Sequence, residues 1–575
     1  MATAVVAPSY SPRFAALRRV LSARTLIVLV VAALIAYLGL VPLGFLFQET
    51  FFKSGHLTLD NLREAYTTIG LGKMTLNSLA FAFGSTAVAM VLGTALAFLI
   101  VRTDVPGKPL MFAASLVPLI IPGILHTIAW IFLASPQIGI LNRNVIEPLD
   151  GGHPFNIFSL YGMSLVEGLH LAPLVFLLMV ASFRSMDPSL EESAVMSGAP
   201  LRTVFRRITL PLAKPALLAG VLIMMVRGLE SFEVPALVGL PNHIWVFTSR
   251  IWDVLNATPP GYGQAGAYAL SLLVLTSIGI LLHSQFTKRS GRFQTVTGKA
   301  FRPRPVPLGV WRVPATIFLL LYFVISVVLP LLTLAYASTQ PFYSPPSRYT
   351  LSHMSLSTYP TVFHDPLVRH AATNSLILGL GSATVVMLIA AVAAWLVVRT
   401  RLPGRSLVDN LAFLPLVIPG LVLGVALLSV YLRMRSLPIY GTLWILFIAY
   451  LTRYMPYGMR YSSSSMFQIG RELEESAQMS GAGWFQTFRR VILPLLVPGF
   501  VAGWIYILIV SVRELGSSVL LYSPGHEVLS IVIWQWYRDG LFPQLAALGV
   551  LMVGALVVLV SVAYKLGAKI GVREA

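Results

Sequence analysis

The sequence has 575 residues, of which 56% are hydrophobic and only 11% are charged. Soluble globular proteins carry roughly 25% charged residues, so this composition excludes a soluble enzyme, a secreted domain and a disordered protein. Apolar runs of about 20 residues recur along the whole chain and predict an all-α polytopic membrane protein. Because the chain has no cysteine, disulfides, thiol catalysis and cysteine-based metal sites are excluded as well.

The formal net charge is +19, from 41 Lys and Arg against 22 Asp and Glu. The basic residues cluster in short segments between apolar runs, which is typical of membrane-orientation signals and of contact with anionic lipid. No stacking or base-reading motif accompanies them. We therefore expect the lipid bilayer, and no nucleic acid, as the partner of this charge.

We predict twelve transmembrane helices, six in each half of the chain. The first apolar run is too long for the apolar segment of a signal peptide, and we interpret it as the first span. In chain order the predicted spans lie near residues 25–47, 75–101, 110–134, 157–182, 215–240, 264–287, 313–338, 372–398, 407–432, 440–467, 498–522 and 541–567.

Lysine and arginine are concentrated in three segments that an even number of spans places on one side of the membrane. The positive-inside rule puts both termini and the segment between the halves in the cytoplasm. The short loop with Arg433 and Arg435 departs from this rule. The predicted order is an N-terminal segment, a first six-helix half, a basic linker, a second six-helix half and a tail: residues 1–24, 25–287, 288–312, 313–567 and 568–575.

The two halves repeat three motifs at corresponding points: Glu191–Gly198 with Glu474–Gly481, Val101–Gly107 with Val398–Gly404, and Pro118–Gly123 with Pro415–Gly420. Such self-similarity indicates an internal duplication. Six is an even number of spans, so both halves share one orientation and form parallel repeats rather than inverted ones. Unequal spacing of the motifs predicts an insertion in the first half near residues 142–153.

The most informative repeat is a loop between the fourth and fifth spans of each half, near residues 184–214 and 470–496. An amphipathic helix that lies on lipid would explain one such loop. It does not explain why both halves keep the same Glu-Ser-Ala, the same glycine and the same Leu-Pro at fixed spacing. We therefore interpret the two loops as elbows with a shared function.

Each elbow is predicted to contain two short helices on either side of a glycine. Asp187 and Pro188 suit the N-cap and first helical position, and Gly198 can adopt the positive φ that ends a helix. We expect Pro211 and its counterpart Pro494 to break the second helix. The turn between the helices is predicted to expose four glutamates: Glu191, Glu192, Glu474 and Glu475.

The elbow pattern resembles the loop signature of permease subunits of binding-protein-dependent ABC importers. That signature has Glu-x-Ala, a glycine six residues after the glutamate, and Ile-x-Leu-Pro beginning ten residues after the glycine. Here it stands as Glu192, Ala194, Gly198, Ile208, Leu210 and Pro211, and again as Glu475, Ala477, Gly481, Val491, Leu493 and Pro494. The resemblance covers nearly the whole chain, because the duplicated six-span organisation fits too.

The resemblance implies a transmembrane domain like that of type I ABC importers, in a bacterial inner membrane. In that family the elbow is a coupling helix that docks on a cytoplasmic ATPase. The implied partners are two copies of that ATPase and a periplasmic substrate-binding protein. The residues implied in coupling are Glu191, Glu192, Ala194, Gly198, Glu474, Glu475, Ala477 and Gly481.

The chain has no Gly-x-x-x-x-Gly-Lys-Ser/Thr phosphate loop. We therefore expect that the chain is not an enzyme and binds no cofactor, and that the separate ATPase subunits hold ATP and Mg²⁺.

An ion-coupled secondary transporter would also show duplicated spans and buried charges, but it would have no reason to repeat the elbow. A membrane-embedded enzyme would need a nucleophile or metal cluster within the spans, and no clear one is present.

Ionisable residues inside predicted spans are energetically costly and are therefore candidates for a translocation path. The alternative is ion pairing that orients helices, as between Arg227 and Glu230, or between Glu167 and either His170 or Arg453. A single Glu-x-x-His spacing does not define a metal site, and none is assigned. The candidates for the path are Glu167, His170, Arg227, Glu230, Glu233, Arg453, Arg513 and Glu514.

The fused two-half chain, with the segments that begin at Glu230 and Arg513, is most similar to ferric-iron permeases. The resemblance implies that the chain translocates ferric iron delivered by the periplasmic protein. Ferric iron favours the oxygen and nitrogen ligands of Glu, Tyr and His, and four such residues are available: Glu230, Glu233, Glu514 and His170. Arg227 and Arg513 would suit an anion instead, so a small organic solute such as a phosphonate, thiamine or a polyamine stays open as the cargo.

Overall fold

The structure, a computed structural model, describes residues 23–53, 55–68, 70–150, 155–187, 189–290, 305–400, 404–434 and 436–570. Nearly all of the predicted N-terminal segment, the centre of the predicted linker, the end of the predicted tail, Pro188 and Arg435 lie outside the described residues. The cytoplasmic placement of both termini and the domain boundaries therefore remain predictions.

Long helices dominate both halves of the described chain. The first half contains α1 (Ala23–Phe51), α2 (Leu71–Arg102), α3 (Lys108–Leu116), α4 (Gly123–Ala134), α5 (Leu160–Ser185), α6 (Ser189–Met196), α7 (Leu210–Glu230), α8 (Phe247–Leu255) and α9 (Tyr262–Ser290). The second half contains α10 (Arg312–Phe323), α11 (Leu329–Ser338), α12 (Pro366–Arg399), α13 (Arg405–Phe413), α14 (Gly420–Arg433), α15 (Leu443–Gln468), α16 (Glu472–Met479), α17 (Leu493–Val512), α18 (Leu529–Arg538) and α19 (Phe542–Ile570).

Short segments connect these helices. A small antiparallel hairpin, β1 (Phe52–Lys53) and β2 (His56–Leu57), pairs Phe52 with Leu57 after α1. The connection between α4 and α5 is much longer than that between α14 and α15 and contains the segments Asn142–Ile146 and Glu147–Asp150. The insertion predicted for the first half therefore lies where the sequence repeats placed it. Other short helices are Asp60–Thr68, Leu201–Val204, Arg348–Ser352, Thr358–His364, Trp484–Thr487 and Ser518–Leu521.

Nine of the described helical segments are long and apolar enough to cross a membrane, and two bent pairs bring this number to eleven. The remaining predicted span corresponds to α15, which has 26 residues like its counterpart α5. Its middle carries Arg453 and Arg460, which lowers its hydropathy. The all-α architecture of about twelve spans in two similar halves is thus confirmed for the described residues.

The third predicted span of each half is not one straight helix. The chain bends by 95° between Lys108–Leu119 and Gly123–Ala134, and by 106° between Arg405–Leu416 and Gly420–Arg433. The repeated Pro-x-x-x-Pro-Gly motif lies at both bends. Proline lacks the N–H that a continuous helix needs and clashes with the preceding turn. Each helix therefore stops at the motif and starts again, in a new direction, at its glycine.

The second helix of each elbow does not end at its proline, contrary to the prediction. A π-helical turn, Phe205–Thr209 or Phe488–Ile492, leads directly into α7 or α17. Pro211 and Pro494 lie in the first turn of these long helices, where proline is tolerated because the preceding wide turn accommodates it. The second helix of each elbow and the fifth span are therefore one continuous helical segment.

Corresponding helices pack in the same way in the two halves. α2 contacts α5 and α7, just as α12 contacts α15 and α17. The first span of each half instead reaches the other half, so that α1 packs against α14 and α11 packs against α4. Across the first of these contacts, the hydroxyls of Tyr37 and Tyr431 share a hydrogen bond of 2.7 Å. The halves are therefore joined by reciprocal contacts.

The arginine that departs from the positive-inside rule also takes part in this contact. Arg433, the last residue of α14, forms an ion pair with Glu49 of α1 at 2.5 Å. Its charge is neutralised by the other half of the chain, which the local sequence could not show.

Candidate functional site

A polar cavity of about 240 Å³ lies between the two halves of the chain. Helices α4, α5 and α7 border it from the first half, and α14, α15 and α17 border it from the second. The structure brings all eight residues of the predicted path to its wall: Glu167, His170, Arg227, Glu230, Glu233, Arg453, Arg513 and Glu514.

On the first-half side, the wall is shaped by the end of α7, where the helical backbone stops. This helix ends at Glu230, earlier than the predicted span 215–240. The Ser231 hydroxyl donates a hydrogen bond to Glu167 Oε2 at 2.8 Å, and the Thr248 hydroxyl donates to the Ser231 carbonyl at 2.7 Å. Glu167 therefore has a serine partner rather than either of the ion-pair partners considered above.

On the second-half side, Glu514 is the centre of a polar network. Its carboxylate pairs with Arg453 Nε at 3.2 Å and accepts a hydrogen bond from the backbone N–H of Ser517 at 2.9 Å. The Ser530 hydroxyl donates to the Glu514 carbonyl at 2.6 Å, as a threonine does to the carbonyl of Ser231 in the first half. The two halves thus share a backbone arrangement at this helix end but present different side chains.

Two arginines reach across the cavity to the other half. Arg227 of α7 donates a hydrogen bond to the Tyr457 hydroxyl of α15 at 2.7 Å, and Arg513 donates to the Leu119 carbonyl at the first bend. Arg227 also forms the ion pair with Glu230 that the sequence suggested, at 3.4 Å. In this conformation the cavity charges therefore hold the two halves together.

The bends of the third spans bring the beginnings of two helices to the cavity. Gly123 and Gly420, the first residues of α4 and α14, both line it. A helix N-terminus carries partial positive charge that favours carboxylates, and a Cβ added to Gly123 would lie 3.7 Å from the carboxyl carbon of Glu233. A Cβ added to Gly420 would overlap the Arg453 guanidinium. Only glycine at this second bend allows Arg453 to lie against the helix.

Three tyrosines on the second-half wall were not among the predicted site residues. Tyr454 and Tyr457 of α15 and Tyr506 of α17 line the cavity, and the rings of Tyr457 and Tyr506 are 5.3 Å apart. The sequence did contain a signal, because Tyr450, Tyr454, Tyr457 and Tyr461 recur at helical spacing and so share one face. The residues that correspond to the last three in the first half are leucines.

The charge pattern of the cavity differs from that of a resident metal centre. Four glutamates and three arginines line the wall, and two of the arginines pair with glutamates. Among the described residues, no group of three or more His, Asp or Glu side chains is arranged to hold a metal ion. A wall of mixed charge offers several polar contacts to a passing cargo.

The first helix of each elbow ends in the same turn. Gly198 has φ of +81°, its N–H bonds to the Val195 carbonyl at 2.9 Å, and the Ala199 N–H bonds to the Ala194 carbonyl at 3.0 Å. This pair of bonds is the Schellman motif, and the second elbow repeats it around Gly481, whose φ is +84°. The alanine and the glycine of the repeated signature are thus the residues that close this turn.

The paired glutamates of each elbow differ in exposure. Glu192 and Glu475 are exposed, as predicted. Glu191 is only 7% exposed, and Glu474 is partly buried. Each of these two pairs with an arginine at the end of the second span of its half, and a buried arginine needs such a counter-charge. The prediction of an exposed turn was therefore wrong for the first glutamate of each pair.

The duplicated spans, the cavity between the halves and the two elbows define the transmembrane component of a solute transporter. Residues 89–292 and 386–570 match the family described as binding-protein-dependent transport system inner membrane component, and the chain belongs to this family. The two matched regions lie one in each half, as the internal duplication predicts.

Curated relatives are similar along much of the chain. Fe(3+)-transport system permease protein FbpB 2 of Haemophilus influenzae is 25% identical over 511 residues, which cover 88% of this chain and 92% of that protein. Ferric transport system permease protein FbpB of Actinobacillus pleuropneumoniae is 24% identical over 405 residues, 69% of this chain and 57% of that protein. Spermidine/putrescine transport system permease protein PotC of Escherichia coli is 27% identical over 218 residues, 37% of this chain and 81% of that protein.

Among solved structures, a bacterial ABC transporter involved in the import of the acidic polysaccharide alginate has a chain that matches 45% of this one. The match covers 96% of that chain, with 20% sequence identity and a TM-score of 0.38.

Proposed function

We propose that this chain is the permease subunit of an ATP-driven importer and that its cargo is ferric iron, delivered by a periplasmic binding protein. The observation that carries this proposal is the central cavity, where charged residues from both halves of a binding-protein-dependent permease meet. The Haemophilus influenzae relative, an Fe(3+)-transport permease by name, is matched over 92% of its length, which supports iron as the cargo.

The two elbows are the proposed docking sites for two copies of a cytoplasmic ATPase, which would bind ATP and Mg²⁺. Each elbow presents an exposed glutamate, Glu192 or Glu475, and a methionine, Met196 or Met479, that is 89% exposed. An exposed apolar side chain beside a charge is typical of a surface that another protein covers. Because each elbow continues into α7 or α17, movement of the ATPase would reach the helix ends that border the cavity.

In this mechanism the cargo passes where the two halves meet. The contacts of Arg227 with Tyr457 and of Arg513 with Leu119 must separate before the cavity can widen. Carboxylates and phenols are the oxygen ligands that suit ferric iron, and four glutamates and three tyrosines line the wall. Arginines next to these glutamates would compete with the cation, so binding would be weak enough for release.

Uptake by intact cells tests the cargo. In a strain that lacks this chain, we expect uptake of labelled ferric iron to be lost, and uptake of spermidine and aminoethylphosphonate to be unchanged. Expression of the wild-type chain should restore iron uptake. The Glu514→Gln variant loses the charge that faces Arg453 and that accepts the Ser517 N–H. It should restore iron uptake about tenfold less well at equal membrane level, because hydrogen bonds to a charged group contribute about 1.5–3 kcal/mol.

A polyamine is the second candidate cargo. The carboxylates and the tyrosine wall would also suit an organic cation, and the Escherichia coli relative is a spermidine/putrescine permease by name. Normal iron uptake with loss of spermidine uptake would replace iron by a polyamine. Loss of phosphonate uptake alone would show that the cargo is an anion, for which Arg227 and Arg513 would be the binding residues.

Cargo uptake that continues without any ATPase subunit would contradict the importer proposal and favour an ion-coupled transporter.

A further inference from the structure

Two of the motifs that the halves repeat meet each other in the folded chain. Arg102, the last residue of α2, pairs through Nη2 with Oε2 of Glu191 in α6 at 2.7 Å. Arg399, the last residue of α12, pairs through Nε with Oε1 of Glu474 in α16 at 3.0 Å. We call these two ion pairs the joints. Each joint links the second span of its half directly to the elbow.

The joints are much less exposed than ordinary surface ion pairs. The side chains are 2% and 9% exposed in the first joint, and 6% and 13% exposed in the second. The exposed pair Arg143–Glu147, in contrast, is 46% and 41% exposed. Surface pairs contribute little to stability, whereas a buried charge that loses its partner is strongly unfavourable. Separation of a joint would therefore leave two buried charges without their partners, which is unfavourable.

Further hydrogen bonds extend each joint to a neighbouring span. Glu191 also accepts a hydrogen bond from the Thr209 hydroxyl at 2.7 Å, in the π-helical turn that leads into α7. Arg399 also donates to the Met466 carbonyl at 3.0 Å and to the Ile469 carbonyl, at the end of α15. The first joint thus connects α2, the elbow and α7, and the second connects α12, the elbow and α15.

We propose that the joints are positioning elements that make each elbow move together with the second span of its half. The inference rests on the proposed function of the elbows in ATPase docking. Each eight-residue helix begins a few residues after α5 or α15 and ends at its glycine turn, and with these two connections alone it could rotate about its own axis. A further attachment, at the end of α2 or α12, restricts this rotation. A displacement of the elbow then reaches the cavity by two routes, through the fifth span and through the second span.

The second route leads to the cavity through established packing. α2 packs along α5, which carries Glu167 and His170, and α12 packs along α15, which carries Arg453. A contact needed only for stability could be apolar, because well-packed apolar side chains are often as stabilising as a buried ion pair. An ion pair additionally selects two particular side chains, and both halves place it at the same point.

The first experiment compares Glu191→Gln with Glu192→Gln in the complete transporter. The tagged chain is purified with its ATPase subunits and binding protein, reconstituted in liposomes and supplied with labelled ferric iron. Glutamine at 191 keeps the size and an acceptor for Thr209 but removes the charge that faces Arg102. With equal amounts of ATPase in each preparation, we expect iron transported per ATP hydrolysed to fall about fivefold or more in Glu191→Gln.

The controls separate this inference from the proposed function. Glu147→Gln, which removes the exposed pair with Arg143, should leave iron transported per ATP unchanged. Glu192→Gln changes an exposed docking residue and should weaken ATPase binding instead. If Glu192→Gln leaves ATPase binding at the wild-type level, the elbows are not the docking sites and the proposed function fails. If Glu191→Gln transports as much iron per ATP as the wild type, only the joint proposal fails.

Cross-linking provides a second test, and the absence of cysteine from the chain makes it specific. The Arg102→Cys and Glu191→Cys double variant removes both charges, so iron transported per ATP should fall. A short bifunctional thiol reagent that reconnects the two positions should restore it. Failure of the cross-link to restore coupling would overturn the proposal. If the first-half variants do not reach the membrane, the corresponding changes at Arg399 and Glu474, which are more exposed, give the same readouts.

Discussion

At the scale of single residues, the sequence identified the charged positions and the local pair of Arg227 with Glu230, but not the long-range partners. Glu167 pairs with Ser231, which is 64 positions away, and Arg227 meets Tyr457, which is 230 positions away. Residue type and hydropathy mark a costly charge inside a span. They do not show which long-range contact compensates for it, because this depends on how helices from both halves pack.

Gly420→Ala tests how closely the second bend approaches the cavity charges. An added Cβ would overlap the Arg453 guanidinium and push it away from Glu514. We expect a loss of about 2 kcal/mol in stability, typical of a buried polar group that loses its partner, and about tenfold slower iron uptake. Thermal unfolding of the purified chain and uptake by cells measure the two effects.

The corresponding change in the first half is the matched comparison. A Cβ added to Gly123 would lie 3.6 Å from His170 Nε2, which is an ordinary contact. Gly123→Ala should therefore have a much smaller effect on both measurements. Equal effects of the two alanine variants would show that the close approach of Arg453 is not what requires glycine at position 420.

At the scale of elements, prolines had different effects in different places. The prolines of the third spans bend the chain by 95° and 106°, whereas Pro211 and Pro494 lie in the first turn of uninterrupted helices. A proline motif alone predicts a disturbed helix. Whether the chain bends there or a π-helical turn accommodates the proline is decided by the packing of the surrounding helices.

Gly198→Ala and Gly481→Ala test the turn that ends the first helix of each elbow. The two φ values, +81° and +84°, cost an L-residue with a side chain about 1 kcal/mol each. No atom lies within 4 Å of an added Cβ at either position, so backbone strain is the only direct effect. We expect ATPase binding to weaken several-fold, as measured by co-purification of the ATPase subunits.

Gly44→Ala is the control for these two variants. An added Cβ at Gly44 also meets nothing within 4 Å, but this glycine lies inside α1 and has helical geometry. Its substitution should leave ATPase binding unchanged. If the elbow variants behaved like Gly44→Ala, the positive φ would not be required for docking.

At the scale of the whole molecule, the two halves are similar but not equivalent. The described end of the linker between them forms backbone hydrogen bonds with the first half. The Val306 N–H donates to the Arg102 carbonyl at 2.8 Å, and the Asp104 N–H donates to the Val306 carbonyl at 3.2 Å. The Leu308 N–H donates to Asp104 Oδ1 at 2.9 Å. The linker therefore lies next to the first joint.

Asp104→Ala should release this end of the linker, because it removes the acceptor for the Leu308 N–H. With a Val306→Cys substitution as the only thiol in the chain, we expect maleimide labelling to become several-fold faster in the Asp104→Ala background. Asp104→Asn keeps an acceptor oxygen and should label at the rate of the parent protein. Equal labelling rates in all three backgrounds would contradict a role for Asp104 in holding the linker.

By itself, the sequence determined the membrane class, the duplicated halves, the elbows and the set of charges that line the cavity. These follow from composition, periodicity and repeats, which are properties of the linear chain. Only the tertiary structure decided that the third spans bend, that the tyrosines of α15 and α17 join the site, and that Glu191 and Glu474 are held by Arg102 and Arg399. Each of these depends on burial and on contacts between distant segments, and local sequence does not specify which segments will meet.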